Sequence, residues 1–183
     1  MKNPNFNLPN ALAVFRIALA PLMLWFFIAR NDGYFSNWHL SWWDYFAGLI
    51  FVIASITDFF DGFIAREWNQ KTNLGAILDP LADKMLMLAG FMGLMMIDRA
   101  SVWAVFLILT REFLITGLRV AVASEGKNIS ASMMGKIKTV VQMFAIGFLT
   151  MNWQGGEILL WSAVAITIYS GFEYIIKYLK SEK

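Results

Sequence analysis

Apolar residues fall along this chain in six long blocks separated by short polar stretches. The blocks run roughly over 9–29, 41–65, 76–97, 101–123, 133–152 and 157–179. Each is close to the ~20 residues that a helix needs to cross the ~30 Å hydrocarbon core of a bilayer. Backbone N–H and C=O groups cannot stay unpaired in lipid, so such blocks are expected to be helices. No period-two alternation suggests a barrel. No long linker or shift in composition divides the chain. The pattern therefore predicts an all-α integral membrane protein, with six transmembrane helices in a single domain over 1–183.

The polar stretches give an orientation. With six spans both termini share a side with the loops near 66–75 and 124–132. Lys2, Arg66, Lys71, Lys127, Lys136, Lys138, Lys177, Lys180 and Lys183 lie in or beside these regions. The opposite loops hold only Arg30 and Arg99. Basic residues favour the cytoplasmic side, so both termini are expected there. Tryptophan agrees. Trp25, Trp38, Trp42, Trp43, Trp103, Trp153 and Trp161 sit near segment ends on the outer side, and only Trp68 sits inside. These read as interfacial anchors, and His39 among them reads as interfacial rather than as a ligand. Arg16 and other polar residues interrupt the first apolar block, so the N-terminus does not read as a cleavable signal.

Composition changes the picture by exclusion. Of the residues 58% are hydrophobic and 15% charged, against about 45–50% and about 25% in soluble domains. There is no cysteine and one histidine. Thiolate and multi-imidazole sites are thereby excluded, and any metal must be held by carboxylates. A net charge of +2 is too small to suggest a nucleic-acid partner.

The candidate chemistry lies at the junction of the second and third blocks, in Asp58-Phe-Phe-Asp61-Gly62-Phe-Ile-Ala65-Arg66 and Gly75-Ala-Ile-Leu-Asp79-Pro-Leu-Ala-Asp83. Asp58 and Asp61 are three apart, and Asp79 and Asp83 four apart, so each pair shares a helix face. A short loop makes the two helices neighbours, and the four carboxylates can converge just inside the inner membrane face. Clustered anions in a low-dielectric site must protonate, shift their pKa values or bind cations. Hard divalent ions prefer oxygen ligands, and two of them would suit shared carboxylates and a phosphoryl substrate. Gly62, Ala65 and Gly75 leave room beside the acids. Arg66 offers a fork suited to a diphosphate.

At every defined position this pattern, Asp58-x2-Asp61-Gly62-x2-Ala65-Arg66-x8-Gly75-x3-Asp79-x3-Asp83, resembles the signature of the CDP-alcohol phosphotransferases. The resemblance implies a six-helix membrane domain that dimerises. It implies two divalent ions, Mg2+ or Mn2+, held by Asp58, Asp61, Asp79 and Asp83. Asp83 corresponds to the proposed general base, and Asp58, Gly62, Ala65, Arg66 and Gly75 to positions beside the CDP group. The implied reaction is attack by an alcohol on lipid-linked phosphorus, with CMP leaving.

The acceptor alcohol is read from a second polar cluster. The fourth block carries Arg111, Glu112 and Arg119, and the fifth opens Ser132-Met-Met-Gly135-Lys136-Ile-Lys138-Thr139. Two arginines and two lysines against one glutamate suit an anionic acceptor. Arg111, Arg119, Lys136 and Lys138 are the candidate acceptor residues. Asn7-Leu-Pro-Asn10-Ala-Leu-Ala-Val-Phe-Arg16, Leu78–Lys84, Arg111-Glu112 and Gly135–Thr139 resemble bacterial phosphatidylglycerophosphate synthases. Ala13 stands where threonine is common in these, and Met133-Met134 where an aromatic is common. That resemblance implies CDP-diacylglycerol and glycerol 3-phosphate as substrates, in the inner (cytoplasmic) membrane of a bacterium, with the site facing the cytoplasm. Inositol phosphate, serine or phosphatidylglycerol are alternative acceptors. A divalent-cation transporter is the reading from another class. It fits less well, because the acids lie near one face and no internal repeat is visible.

Overall fold

The structure is a computed structural model that describes residues 7–32, 39–67, 72–124 and 133–181. For Phe59, residues 61–67, Asn73, Ala76, Ser124, Lys180 and Ser181 only the backbone is described. Six helices follow one another: α1 (Leu8–Asp32), α2 (Leu40–Glu67), α3 (Asn73–Met96), α4 (Val102–Ser124), α5 (Met133–Thr150) and α6 (Gly156–Ser181). No strand occurs among the described residues. Each apolar block becomes a helix whose ends lie within three residues of the expected ones. α1, the Leu40–Asp58 part of α2 and the Gly156–Leu179 part of α6 are long and apolar enough to cross a membrane. α3, α4 and α5 do not reach that measure. They carry Asp79, Asp83 and Lys84, then Arg111, Glu112 and Arg119, then Lys136 and Lys138. The charges that lower their hydropathy are those singled out above as candidate chemistry.

The chain divides into two compact units, Met1–Arg99 and Ala100–Lys183. In the first, α1 packs against both α2 and α3. The Asn7 side chain starts α1 by accepting a bond from the Asn10 N–H at 3.1 Å, an ordinary N-cap. One stripe of α1 is buried: Asn10, Ala13, Arg16, Leu19, Ala20, Met23 and Phe27. Its spacing of three and four residues is that of a single helix face. Small residues on α3 let this stripe come close. At Gly93 a Cβ would fall 2.1 Å from Phe27 Cδ2. At Gly75 it would fall 2.7 Å from Asn10 Oδ1. Thr72 caps α3, its hydroxyl accepting from the Gly75 N–H at 2.9 Å, and Asn10 Nδ2 donates to the same hydroxyl at 3.0 Å. The start of α3 is thus pinned to the start of α1.

The other end of this unit is held by charge. α3 stops where Asp98 takes a left-handed φ of 57°, and the Arg99 N–H returns to the Leu94 carbonyl at 2.9 Å. This turn brings Arg99 to Asp44 of α2, where Nη2 meets Oδ2 at 2.8 Å. Arg30 at the end of α1 reaches the other oxygen at 2.9 Å. Asp44 is buried. It neutralises part of the basic charge of the side expected to be outer, which sharpens the asymmetry noted above. Removing its charge leaves two nearly buried arginines without their common anion. Asp44→Asn is expected to destabilise the protein by about 2 kcal/mol, measured as earlier thermal unfolding in detergent.

In the second unit α6 packs against α4 and α5. α5 buries Lys138, Gln142, Ala145, Ile146 and Leu149 along one face. Gln142 Nε2 donates to Thr167 Oγ1 of α6 at 2.8 Å. At the far end a Cβ on Gly156 would meet Leu149 Cδ2 at 2.9 Å. The α5–α6 turn uses left-handed backbone at Asn152 (φ 54°) and Gly155 (φ 91°).

Candidate active site

Three of the four signature aspartates meet at one point. Asp58 sits in the last third of α2, and Asp79 and Asp83 one turn apart on α3. They gather on the guanidinium of Arg16, which comes from the buried stripe of α1 and whose side chain is 0% exposed. Arg16 Nη1 donates to Asp58 Oδ1 and, at 2.5 Å, to Asp83 Oδ1. Nη2 lies 3.8 Å from Asp79 Oδ1. The side chains of the acids are 41% (Asp58), 41% (Asp79) and 49% (Asp83) exposed. The arginine therefore approaches from the protein interior, and the acids keep an open side away from it.

Asp61, Gly62, Ala65 and Arg66 lie on the described backbone of α2, but their side chains are outside the description. Gly75 is buried, and its bare Cα faces Asn10 and Thr72. That gives it a packing reason to be glycine besides any place next to a nucleotide.

Whether the cluster suits divalent ions can be tested on the atoms present. The donors are carboxylate oxygens only, the set that hard cations prefer. Asp79 Oδ1 is buried and accepts no hydrogen bond, which leaves it able to take a cation. Among the described residues no three acidic side chains stand by themselves as a metal cage; the side chain of Asp61 is not among those described. The donor chemistry fits.

The second polar cluster is also assembled, with a different internal balance. Arg111 and Lys138 both turn to Glu112. Lys138 Nζ donates to Glu112 Oε1, and Arg111 Nη1 lies 3.3 Å from the same oxygen. Arg111 Nη2 donates to Ser170 Oγ on α6 at 3.0 Å. Gly171 beside it makes the passage possible, since a Cβ there would lie 3.2 Å from Arg111 Nε. Lys138 is 8% exposed, so it does not snorkel to an interface. The Arg119 guanidinium lies 5.4 Å from the ring centre of Tyr174 in a cation–π contact. Lys136 is exposed. Of the four candidate acceptor residues, the structure brings together Arg111 and Lys138.

The feature that spacing did not reveal is Arg16 as the hub of the acids. Its sequence signal was a charge inside the most apolar block, in phase with Asn10 and Ala13. Intramembrane charges are costly and usually functional.

Comparison with known proteins places the chain in a family. The sequence profile described as CDP-alcohol phosphatidyltransferase matches residues 6–169, which takes in both polar clusters. The chain belongs to the CDP-alcohol phosphatidyltransferase family. Similar relatives share the match over nearly their whole length. A Bacillus subtilis protein is 38% identical over 94% of this chain and 95% of its own. One from Rickettsia typhi is 38% identical over 92% and 94%, and one from Escherichia coli K12 is 35% identical over 93% of each. All three are named CDP-diacylglycerol–glycerol-3-phosphate 3-phosphatidyltransferase. Enzymes of this family generally depend on divalent metal ions.

Proposed function

We propose that this chain transfers the phosphatidyl group of CDP-diacylglycerol to sn-glycerol 3-phosphate, giving phosphatidylglycerophosphate and CMP in phospholipid synthesis. The observation that carries the reading is the meeting of Asp58, Asp79 and Asp83 at one point, partly open, in a chain of this family. Similarity to the named transferases over more than nine-tenths of the chain supports glycerol 3-phosphate as acceptor.

The acids, with Asp61, would hold two divalent ions, Mg2+ or Mn2+. Bound there, the ions would offset the pyrophosphate charge and acidify a hydroxyl. The chain's own groups do the rest. Asp83, about half exposed, accepts the proton of the acceptor hydroxyl. The hydroxyl oxygen forms its bond to the lipid-linked phosphorus as the bond to CMP breaks. Gly62, Ala65 and Arg66, with Gly75 and Asp58, flank the CDP group. Arg111 and Lys138 carry one positive charge beyond what Glu112 neutralises, which suits the acceptor phosphate. Arg119 and Lys136 add positive charge to the same unit.

The six helices are proposed to span a bacterial cytoplasmic membrane, as a homodimer with both termini and the acids on the cytoplasmic side. The charged α3, α4 and α5 can cross because their polar groups are paired within each unit, Asp79 and Asp83 of α3 with Arg16 of α1, and Glu112 of α4 with Lys138 of α5. The test is an acceptor panel. Purified protein receives CDP-diacylglycerol with glycerol 3-phosphate, inositol phosphate, serine or phosphatidylglycerol, and CMP release is followed. Glycerol 3-phosphate is expected to exceed every other acceptor at least tenfold, about the 1.4 kcal/mol that a single lost polar contact costs. Faster release with another acceptor would reassign the substrate.

A further inference from the structure

A fully buried arginine is rarely left without a demanding reason, because taking its charge out of water costs several kcal/mol even when it is paired. Arg16 is 0% exposed and meets three carboxylates from two other helices. Ordinary pairing would need one. Among the described residues, three carboxylates against one guanidinium still leave two negative charges. The arginine does not cap the cluster from outside, where it would shut the acids off. It stands on their buried side while each acid keeps between two-fifths and one-half of its side chain exposed. On Asp58 and Asp83 it occupies Oδ1. On Asp79 it approaches only to 3.8 Å, and Oδ1 there accepts no hydrogen bond. This is how a resident cation would be placed if it shared its anions with a second, exchangeable one.

We infer that Arg16 is a positioning residue that acts as the permanent counter-charge of the acid cluster, holding the carboxylates together before any ion binds and weakening their hold on divalent ions. The first effect follows from relief of like-charge repulsion among the acids. The second follows from the same law with the sign reversed. A fixed positive charge within a few ångströms repels an arriving divalent ion, and in a partly buried site that repulsion is poorly screened. A pyrophosphate brings negative charge of its own, so ions settle more readily with the nucleotide than before it. The inference rests on reading the acids as divalent-ion ligands.

The test is binding of Mn2+ to the detergent-solubilised full chain without nucleotide, followed by the paramagnetic resonance signal of free Mn2+. Arg16→Gln is expected to bind Mn2+ at least about tenfold more tightly than the native protein. Its melting temperature is also expected to rise more on adding Mn2+. Arg16→Lys, which keeps the charge and loses the fork, is expected to stay within about threefold of the native affinity. Added CDP should raise Mn2+ affinity more in the native protein than in Arg16→Gln. Equal or weaker binding by Arg16→Gln would overturn the inference alone and leave Arg16 as a plain brace. Binding of Mn2+ to neither protein would overturn the metal reading and this inference with it. Should Arg16→Gln not fold without metal, the double variant Arg16→Gln/Asp79→Asn, which removes one charge of each sign, is expected to fold. Its failure would show a steric rather than an electrostatic role and would also overturn the inference.

Discussion

Asp83→Asn is expected to lower phosphatidyl transfer at least about 10³-fold, to the same floor that a chelator produces in the native protein. Asparagine keeps the size and shape of the side chain, so α3 need not move. It cannot take a proton, and loss of a general base alone costs about 10²–10⁴ in rate. It also removes one of the charges that would hold a divalent ion. Folding should survive, because Arg16 keeps Asp58 and Asp79 as partners and sheds only one of three anions. The measurement is CMP release from CDP-diacylglycerol with glycerol 3-phosphate, alongside thermal melting in detergent. A variant that melts like the native protein and turns over at the native rate would refute the role of Asp83 as base. A variant that loses activity only because it unfolds would show an early melt.

How much of this was legible in the sequence depends on whether the deciding relation is local. The six helices were legible as long apolar runs, although only α1 and parts of α2 and α6 are apolar enough to cross a membrane. Their ends moved by up to three residues, since caps decide them. Thr72 starts α3 ahead of its apolar run, and left-handed Asp98 stops it. The side chain of Asp61 lies outside the described residues, whereas the Asp79–Asp83 pair was legible because a spacing of four fixes a shared face. Arg16 was not, because it reaches Asp58 and Asp83 across 42 and 67 residues. No periodicity within α1 can state which helix its buried face will meet. Arg30 and Arg99 show the same limit. The sequence used them as topology markers, while the fold commits both to Asp44. The second cluster stands between these cases. Arg111 is next to Glu112 in sequence and touches it at 3.3 Å, but Lys138, 26 residues away, is the closer partner of Glu112.

That change in balance alters which acceptor residue matters most, and it sets the second large effect. Arg111→Ala is expected to raise the KM for glycerol 3-phosphate about 30–150-fold, the equivalent of about 2–3 kcal/mol for a lost charged hydrogen bond. The KM for CDP-diacylglycerol should change by no more than about threefold. The cluster owes its surplus positive charge to having two cations on one carboxylate oxygen. Removing Arg111 leaves Lys138 and Glu112 as a neutral pair, so the surplus charge at that point is gone. Arg111 is also the better placed of the two arginines, with Nη2 held by Ser170 and its stem laid across Gly171. A fork fixed in this way loses little freedom when it closes on a phosphate. Arg119 is engaged with the ring of Tyr174, a contact of about 0.5–2 kcal/mol. Arg119→Ala should therefore raise the acceptor KM only several-fold. Steady-state kinetics with each substrate varied in turn decides the matter. If Arg111→Ala weakened both substrates equally, the arginine would be holding the helices rather than the acceptor. If Arg119→Ala had the larger effect, the acceptor would have to lie nearer the C-terminal end of α4, and Glu112 with its two cations would be a structural tie between α4, α5 and α6.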